Sequence, residues 1–128
     1  MLIDSKNLML EAAALDKLWH PKVVGEVNGQ YVKVAKLKGD LTWHKHDHED
    51  ELFIVLKGTL CIEYEDRQVE LQEGDFHVVP KGQLHNPVCQ EECLVALIEP
   101  KSTKHTGEKI TDQTVDVSDQ IKDYTDAS

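Results

Sequence analysis

His44-Lys45-His46, then Glu51, then His85 thirty-four residues further on, are the residues of this chain best suited to chemistry. Three imidazoles and one carboxylate can surround a divalent metal and leave coordination positions free for a ligand. Two histidines separated by one residue chelate together only in an extended chain, where side chains two apart leave the same face. A helix would turn them nearly opposite ways. The neighbours favour the extended form. Leu41-Thr42-Trp43 precede the pair, and Glu51-Leu52-Phe53-Ile54-Val55-Leu56 is rich in strand formers. Glu51 shares the parity of Phe53 and Val55, which puts its carboxylate on the apolar inner face of a strand. A metal gives a carboxylate a reason to be there.

The elements that must position these residues are mostly strands. Leu8, Ala12, Leu15 and Leu18 or Trp19 recur at helical spacing, which predicts one helix over 4–19, capped by Asp4 or Ser5 and ended by Pro21. Strands are predicted over 23–27 and 31–37, separated by the turn pair Asn28-Gly29. Gly39-Asp40 reads as a break before a strand that carries His44 and His46. Further strands follow over 51–57, 59–64, 67–71, 76–79, 86–90 and 94–98, divided by turn residues. Short strands at this spacing predict an all-β sandwich or barrel. The chain thus divides into an N-terminal helical segment (1–20), a β-barrel domain (21–100) and an acidic C-terminal extension (101–128), partly extended and partly disordered. Leu52 to Leu56 is apolar on both parities, so one face lines the barrel and the other needs cover from the N-terminal helix or a second subunit. A homodimer is the expectation.

Composition removes several function classes. The formal net charge of −10 disfavours nucleic acid and anionic membranes as partners. From Asp112 to Ser128 five aspartates face one lysine, as in a solvated tail. The single arginine, Arg67, falls in the turn Glu65-Asp66-Arg67-Gln68, so a bidentate arginine clamp for a phosphorylated ligand is not expected, and Lys33 or Lys36 would have to substitute. Cys61, Cys89 and Cys93 are an odd number without CxxC spacing and read as small buried hydrophobes, not as a disulfide framework. No apolar run approaches a membrane span and no secretory leader is recognisable, so cytoplasmic residence is the expectation.

The spacing of these residues resembles the cupin superfamily, in particular its small single-domain bacterial and archaeal members. Gly39, His44, His46, Glu51 and Gly58 are similar to the first cupin motif, with four residues between His46 and Glu51 and six between Glu51 and Gly58. Gly74, Pro80, Gly82 and His85 are similar to the second, fifteen residues beyond the first. The chain departs twice: four residues in place of five separate Gly39 from His44, and Cys89 stands where the motif has asparagine, although Asn86 adjoins His85. The resemblance covers residues 22–100 and implies an antiparallel jelly-roll barrel with a metal held inside by His44, His46, Glu51 and His85.

An N₃O donor set suits Fe, Mn, Ni, Co or Zn as the divalent metal. Asp47, His48, Glu49 and Asp50 are expected to form a solvent-exposed loop. His77 is open to a surface role or to a role as pocket acid–base group. Phe53, Val55 and Leu84 are candidate apolar pocket walls, Trp43 is expected outside the barrel, and Tyr31 and Lys33 share a face that could reach a ligand. The expected function is that of a small metalloenzyme acting on an oxygen-rich small molecule, by oxygenation or isomerisation. The alternatives are a small-molecule-binding or regulatory barrel without turnover, and a structural or storage barrel whose metal is only a fold staple. No nucleophile constellation or phosphate-cradling glycine loop is present, and the sequence names no catalytic residue.

Overall fold

A computed structural model describes residues 4–103, 106–107 and 115–121. One helix, α1 (Leu8–Ala13), precedes seven antiparallel strands: β1 (Lys22–Val27), β2 (Gln30–Asp40), β3 (Glu51–Lys57), β4 (Leu60–Tyr64), β5 (Gln68–Leu71), β6 (Phe76–Val79) and β7 (His85–Pro100). A short helix, α2 (Val117–Gln120), follows. The hairpin β1–β2, then β7, β3 and β6, form a continuous run of paired strands, and β4 pairs with both β5 and β7. β7 is therefore the hub. Its first residues pair with β4, and its second half lies between β2 and β3. The two strands expected over 86–90 and 94–98 are halves of this one strand, which bends where the β2–β7 register shifts between Leu37 and Gly39.

The alternation of β3 decides what the barrel contains. Glu51, Phe53 and Val55 point inward and are buried, whereas Leu52, Ile54 and Leu56 point outward. The inner core gathers Ala35, Leu37, Phe53, Val55, Leu60, Ile62, Val79, Val95 and Leu97, each large apolar side chain contributing about 1.5–3 kcal/mol. A second cluster lies outside the sheet, where Ala12, Met9 and Leu8 of α1 pack on Val34, Leu94, Ala96, Ile54 and Leu56. The outward apolar face of β3 is thus covered in part by the N-terminal helix.

Three local expectations are corrected. The helix begins at Leu8 because Asn7, not Asp4 or Ser5, accepts the capping bond from Leu10 N, and it ends at Ala13. The chain beyond is extended enough for Leu18 to bridge Lys36, and Trp19 turns into the core. β2 runs on through Gly39-Asp40, with Gly39 absorbing a bulge at φ +79°. The His44–His46 segment is not a strand of the sheet: one isolated bridge, His44 to His85, holds it.

Of the C-terminal extension, residues 104–105, 108–114 and 122–128 lie outside the described residues, as do 1–3 at the other end, so the disorder expected there is not addressed. Its described parts pack on the barrel. Thr103 and Thr106 are buried, Gly107 approaches the Lys45 carbonyl so closely that a Cβ would collide with it, and Gln120 is buried. Among the described residues no helix is long and apolar enough to cross a membrane, and the three cysteines are free.

Gly58 closes the β3–β4 turn at φ +89°, and a Cβ there would lie 2.9 Å from that of Cys93. Left-handed strain and overpacking at one position predict that Gly58→Ala lowers stability by about 2–4 kcal/mol in urea denaturation, with no change in the slope of the transition.

Candidate metal centre

The two motif segments meet through their backbones. His44 N donates to His85 O and His85 N donates to His44 O, both at 2.9 Å. Gly82 N donates to His46 O at 2.7 Å, and Lys81 N to the Asp50 carboxylate at 2.9 Å, so the Pro80–Gly82 loop is fastened to the segment between the histidines and β3. Glu51 opens β3 opposite Val79, the last residue of β6. With β3 and β7 paired in the sheet, these ties fix all four side chains relative to one another.

His44, His46, Glu51 and His85 are all buried, and one ligand atom from each lies within 4.8 Å of the others. His46 Nε2 is 3.4 Å and His85 Nε2 3.6 Å from Glu51 Oε1. His44 Nδ1 lies 2.8 Å from the Thr42 carbonyl and His85 Nδ1 2.9 Å from that of Gln83. Since a carbonyl only accepts, both rings donate through Nδ1–H, which leaves the Nε2 lone pairs facing the cluster. His85 Nε2, both ring nitrogens of His46 and Glu51 Oε1 are buried without a hydrogen-bond partner. Unpartnered buried polar atoms cost roughly 1–3 kcal/mol each. Three of them, one each from His46, Glu51 and His85, converge within one metal's reach and fit a cation in the centre, and the donor set is compatible with one divalent ion.

Electrostatics sharpen this. Burial lowers the His44 pKa to about 4, with the neighbouring His85 adding to the effect, so His44 is neutral at ordinary pH. Burial opposes protonation of His46 as well, but the Glu51 carboxylate beside it outweighs this and raises its pKa. Burial would push Glu51 upward, yet the imidazoles of His46 and His85 against its carboxylate hold it well below the usual carboxylate range.

The remaining candidates separate. Phe53 joins His44, Glu51, Trp19, Leu37, Leu41 and Leu97 around a small apolar cavity of about 30 Å³. Val55 is core but not part of that lining. Leu84 is partly exposed, beside Trp43 and Tyr64 in an open groove away from the cavity. His77 shares the inner face with Phe53, and the Tyr64 hydroxyl lies 2.7 Å from its Nε2. Burial lowers the His77 pKa, assisted by Arg67 and His85, so the tyrosine donates to a neutral imidazole. Asp47 and His48 are exposed, while Glu49 accepts from Ser102. Tyr31 is half-buried, but Lys33 is fully buried and pairs with Glu99, Nζ to Oε1 2.9 Å. Glu99 was not anticipated from the sequence. Burial and then the charge of Glu51 hold its pKa above the usual range, against the pull of Lys33.

A barrel with three histidines and one glutamate converging inside it is compatible with a bound metal ion, and sequence comparison identifies the family. Residues 30–99 match the cupin domain family, and the chain belongs to that family. It is 41% identical over 63 residues to the uncharacterised protein YdbB of Bacillus subtilis (strain 168), covering 48% of this chain and 56% of that one, so it spans little more than half of that relative. Among solved structures it is similar to a cupin-2 domain protein from Shewanella frigidimarina NCIMB 400, 39% identical with TM-score 0.72 over 74% of this chain and 93% of that one. Protein NMB1881 from Neisseria meningitidis is 30% identical, with TM-score 0.70 over 76% and 99% of the two chains.

His44 carries a testable sign. Its pKa falls from 6.5 to about 4 on folding, so between those values the unfolded chain binds the extra proton and stability falls as pH falls. Metal-free protein should lose about 2 kcal/mol through this group between about pH 7 and about pH 5. His44→Gln should remove that part of the loss, measured by chemical denaturation at both pH values.

Proposed function

We propose that this protein is a metalloenzyme that binds one divalent transition metal through His44, His46, Glu51 and His85 and acts on an oxygen-rich small molecule. The observation that carries the reading is the convergence of four buried ligand atoms within 4.8 Å of one another, most of them without a hydrogen-bond partner. A metal bound there supplies a Lewis acid with positions open to a substrate oxygen or to O₂. The chain's own residues orient the donors. Thr42 and Gln83 fix the tautomers of His44 and His85, and Trp19, Leu41 and Phe53 keep the adjoining space dry. That space has room for about one water or a diatomic molecule, and its apolar walls favour oxygenation over isomerisation. Tyr64 and His77, in line with each other near His85, can move a proton to or from a bound substrate.

Protein purified without an affinity tag should contain about one metal per chain, and His46→Ala should contain almost none. Iron-loaded protein exposed to nitric oxide under anaerobic conditions should give the EPR signal of a high-spin iron–nitrosyl, which requires an open position. No metal in the native protein, and none taken up on reconstitution, would sink the reading. Metal without a nitrosyl signal would favour a structural staple, and a nitrosyl signal with ligand binding but no O₂ uptake would favour a non-catalytic binding barrel.

The assembly we propose is a homodimer in the cytoplasm. Leu10, Phe76 and Val78 are exposed, and Phe76 and Val78 pair with Ile54 and Leu52 beyond the cover that α1 provides. Such a patch suits a second copy better than water. Light scattering should find a dimer for the native chain and a monomer for Phe76→Glu.

A further inference from the structure

Three polar side chains that the proposed chemistry does not use are buried beside Glu51. Lys33 and Glu99 are 0% and 1% exposed. They sit diagonally across the β2–β7 pairing, in which Lys33 opposes Leu97 and Tyr31 opposes Glu99. Lys33 also donates to the Gln120 side-chain oxygen, and Gln120 Nε2 donates to the Val115 carbonyl at 3.0 Å. Ile98 pairs with Leu52, so Glu99, the next residue of β7, comes beside Glu51 at the start of β3, and both are buried. A row of buried polar side chains therefore leads from the C-terminal segment through the barrel wall to the neighbourhood of a metal-ligand carboxylate.

A buried ion pair is a poor way to gain stability, because desolvating both charges offsets most of their attraction. An apolar pair on these inward positions would continue the core of Ala35, Val95 and Leu97 without that penalty. What the ion pair adds is direction. A glutamate ligand with several rotatable bonds reaches a metal reproducibly only when another group fixes its carboxylate. Gln120, eighty-seven residues from Lys33 in sequence, shows that the fixing group is itself held from outside the barrel.

We propose that Glu99 is a positioning residue for Glu51, that Lys33 fixes Glu99, and that Gln120 completes the chain, so that the segment around α2 is a working part of the metal centre. The inference rests on the metal-binding reading above and adds the C-terminal segment to it.

The test uses Co²⁺ as probe on the full chain, with affinity from chelator competition and coordination from the visible absorption bands. Gln120→Ala, at the outer end, should still fold without metal, with a modestly lowered unfolding midpoint, and should weaken Co²⁺ binding by about tenfold. Glu99→Met, which keeps volume but cannot hydrogen-bond, should weaken it by about ten- to hundredfold and alter the bands. Glu99→Gln, which keeps a polar side chain of the same shape between Lys33 and Glu51, should restore both to near the native values. Native Co²⁺ affinity and spectrum in Gln120→Ala and in Glu99→Met would overturn the proposal and leave the chain a fold staple. If Glu99→Met does not fold, Gln120→Ala decides alone. Failure of the native protein to bind Co²⁺ would instead overturn the metal reading itself, and this proposal with it.

Discussion

The two hydrogen bonds that His44 and His85 exchange through their backbones, both 2.9 Å, join two segments far apart in the sequence, one before β3 and one at the start of β7. Each histidine also turns its Nδ1–H back to the carbonyl two residues earlier, Thr42 in one case and Gln83 in the other. The same local device thus appears twice, once in each motif, and the backbone pair aligns the two copies. The rest of the site is hung from this junction: His46 follows two residues later, Gly82 N ties the second loop to the His46 carbonyl, and β3 begins at Glu51. Because the His44 segment belongs to no ladder, losing these few bonds would free the histidine pair from the frame.

The interior of the barrel departs from an apolar core most strongly around the ligand cluster, and there the departure is large. Lys33, His44, His46, Glu51, His85 and Glu99 are all buried with their polar atoms inward or against one another. A cluster of this kind, only partly satisfied, is less stable than a hydrophobic filling of the same volume. The remainder of the core has to carry that deficit, and β7, apolar on both faces from Cys93 to Leu97, is the strand that does so. Filling the centre with a cation would remove much of the deficit at once, since it partners His46, His85 and Glu51 together.

Much of this was legible in the sequence, for a physical reason. A chelating site needs donors at spacings set by backbone geometry, so the HxH pair, the glutamate of matching parity and the distant histidine are visible as a pattern. Strand alternation likewise revealed the inward set of β3. The parity argument that singled out Glu51 applies equally to Glu99, which alternates with Val95 and Leu97, yet it stands near the end of its strand, where an acidic residue reads as a solvated terminus. Gln120 carried no signal at all, because its role depends on a contact with Lys33 eighty-seven residues away. The helix was overextended for a related reason: Leu15, Leu18 and Trp19 keep helical spacing, but Leu18 and Trp19 are recruited by β2, and tertiary pairing overrides weak propensity.

Trp19 shows what that recruitment achieves. Its backbone stands at φ +56°, a costly conformation for a bulky residue. It is held there by Trp19 N donating to Lys36 O at 2.9 Å and by its indole N–H donating to Lys38 O at 2.8 Å. The ring is thereby delivered into the wall of the cavity beside His44 and Glu51. A relaxed backbone would aim the same side chain elsewhere and leave that wall to smaller residues. The strain and its two restraints therefore act on the functional link of the chain of cause. They set how little space lies next to the ligands, and with it the size of molecule that can approach them without displacing part of the core.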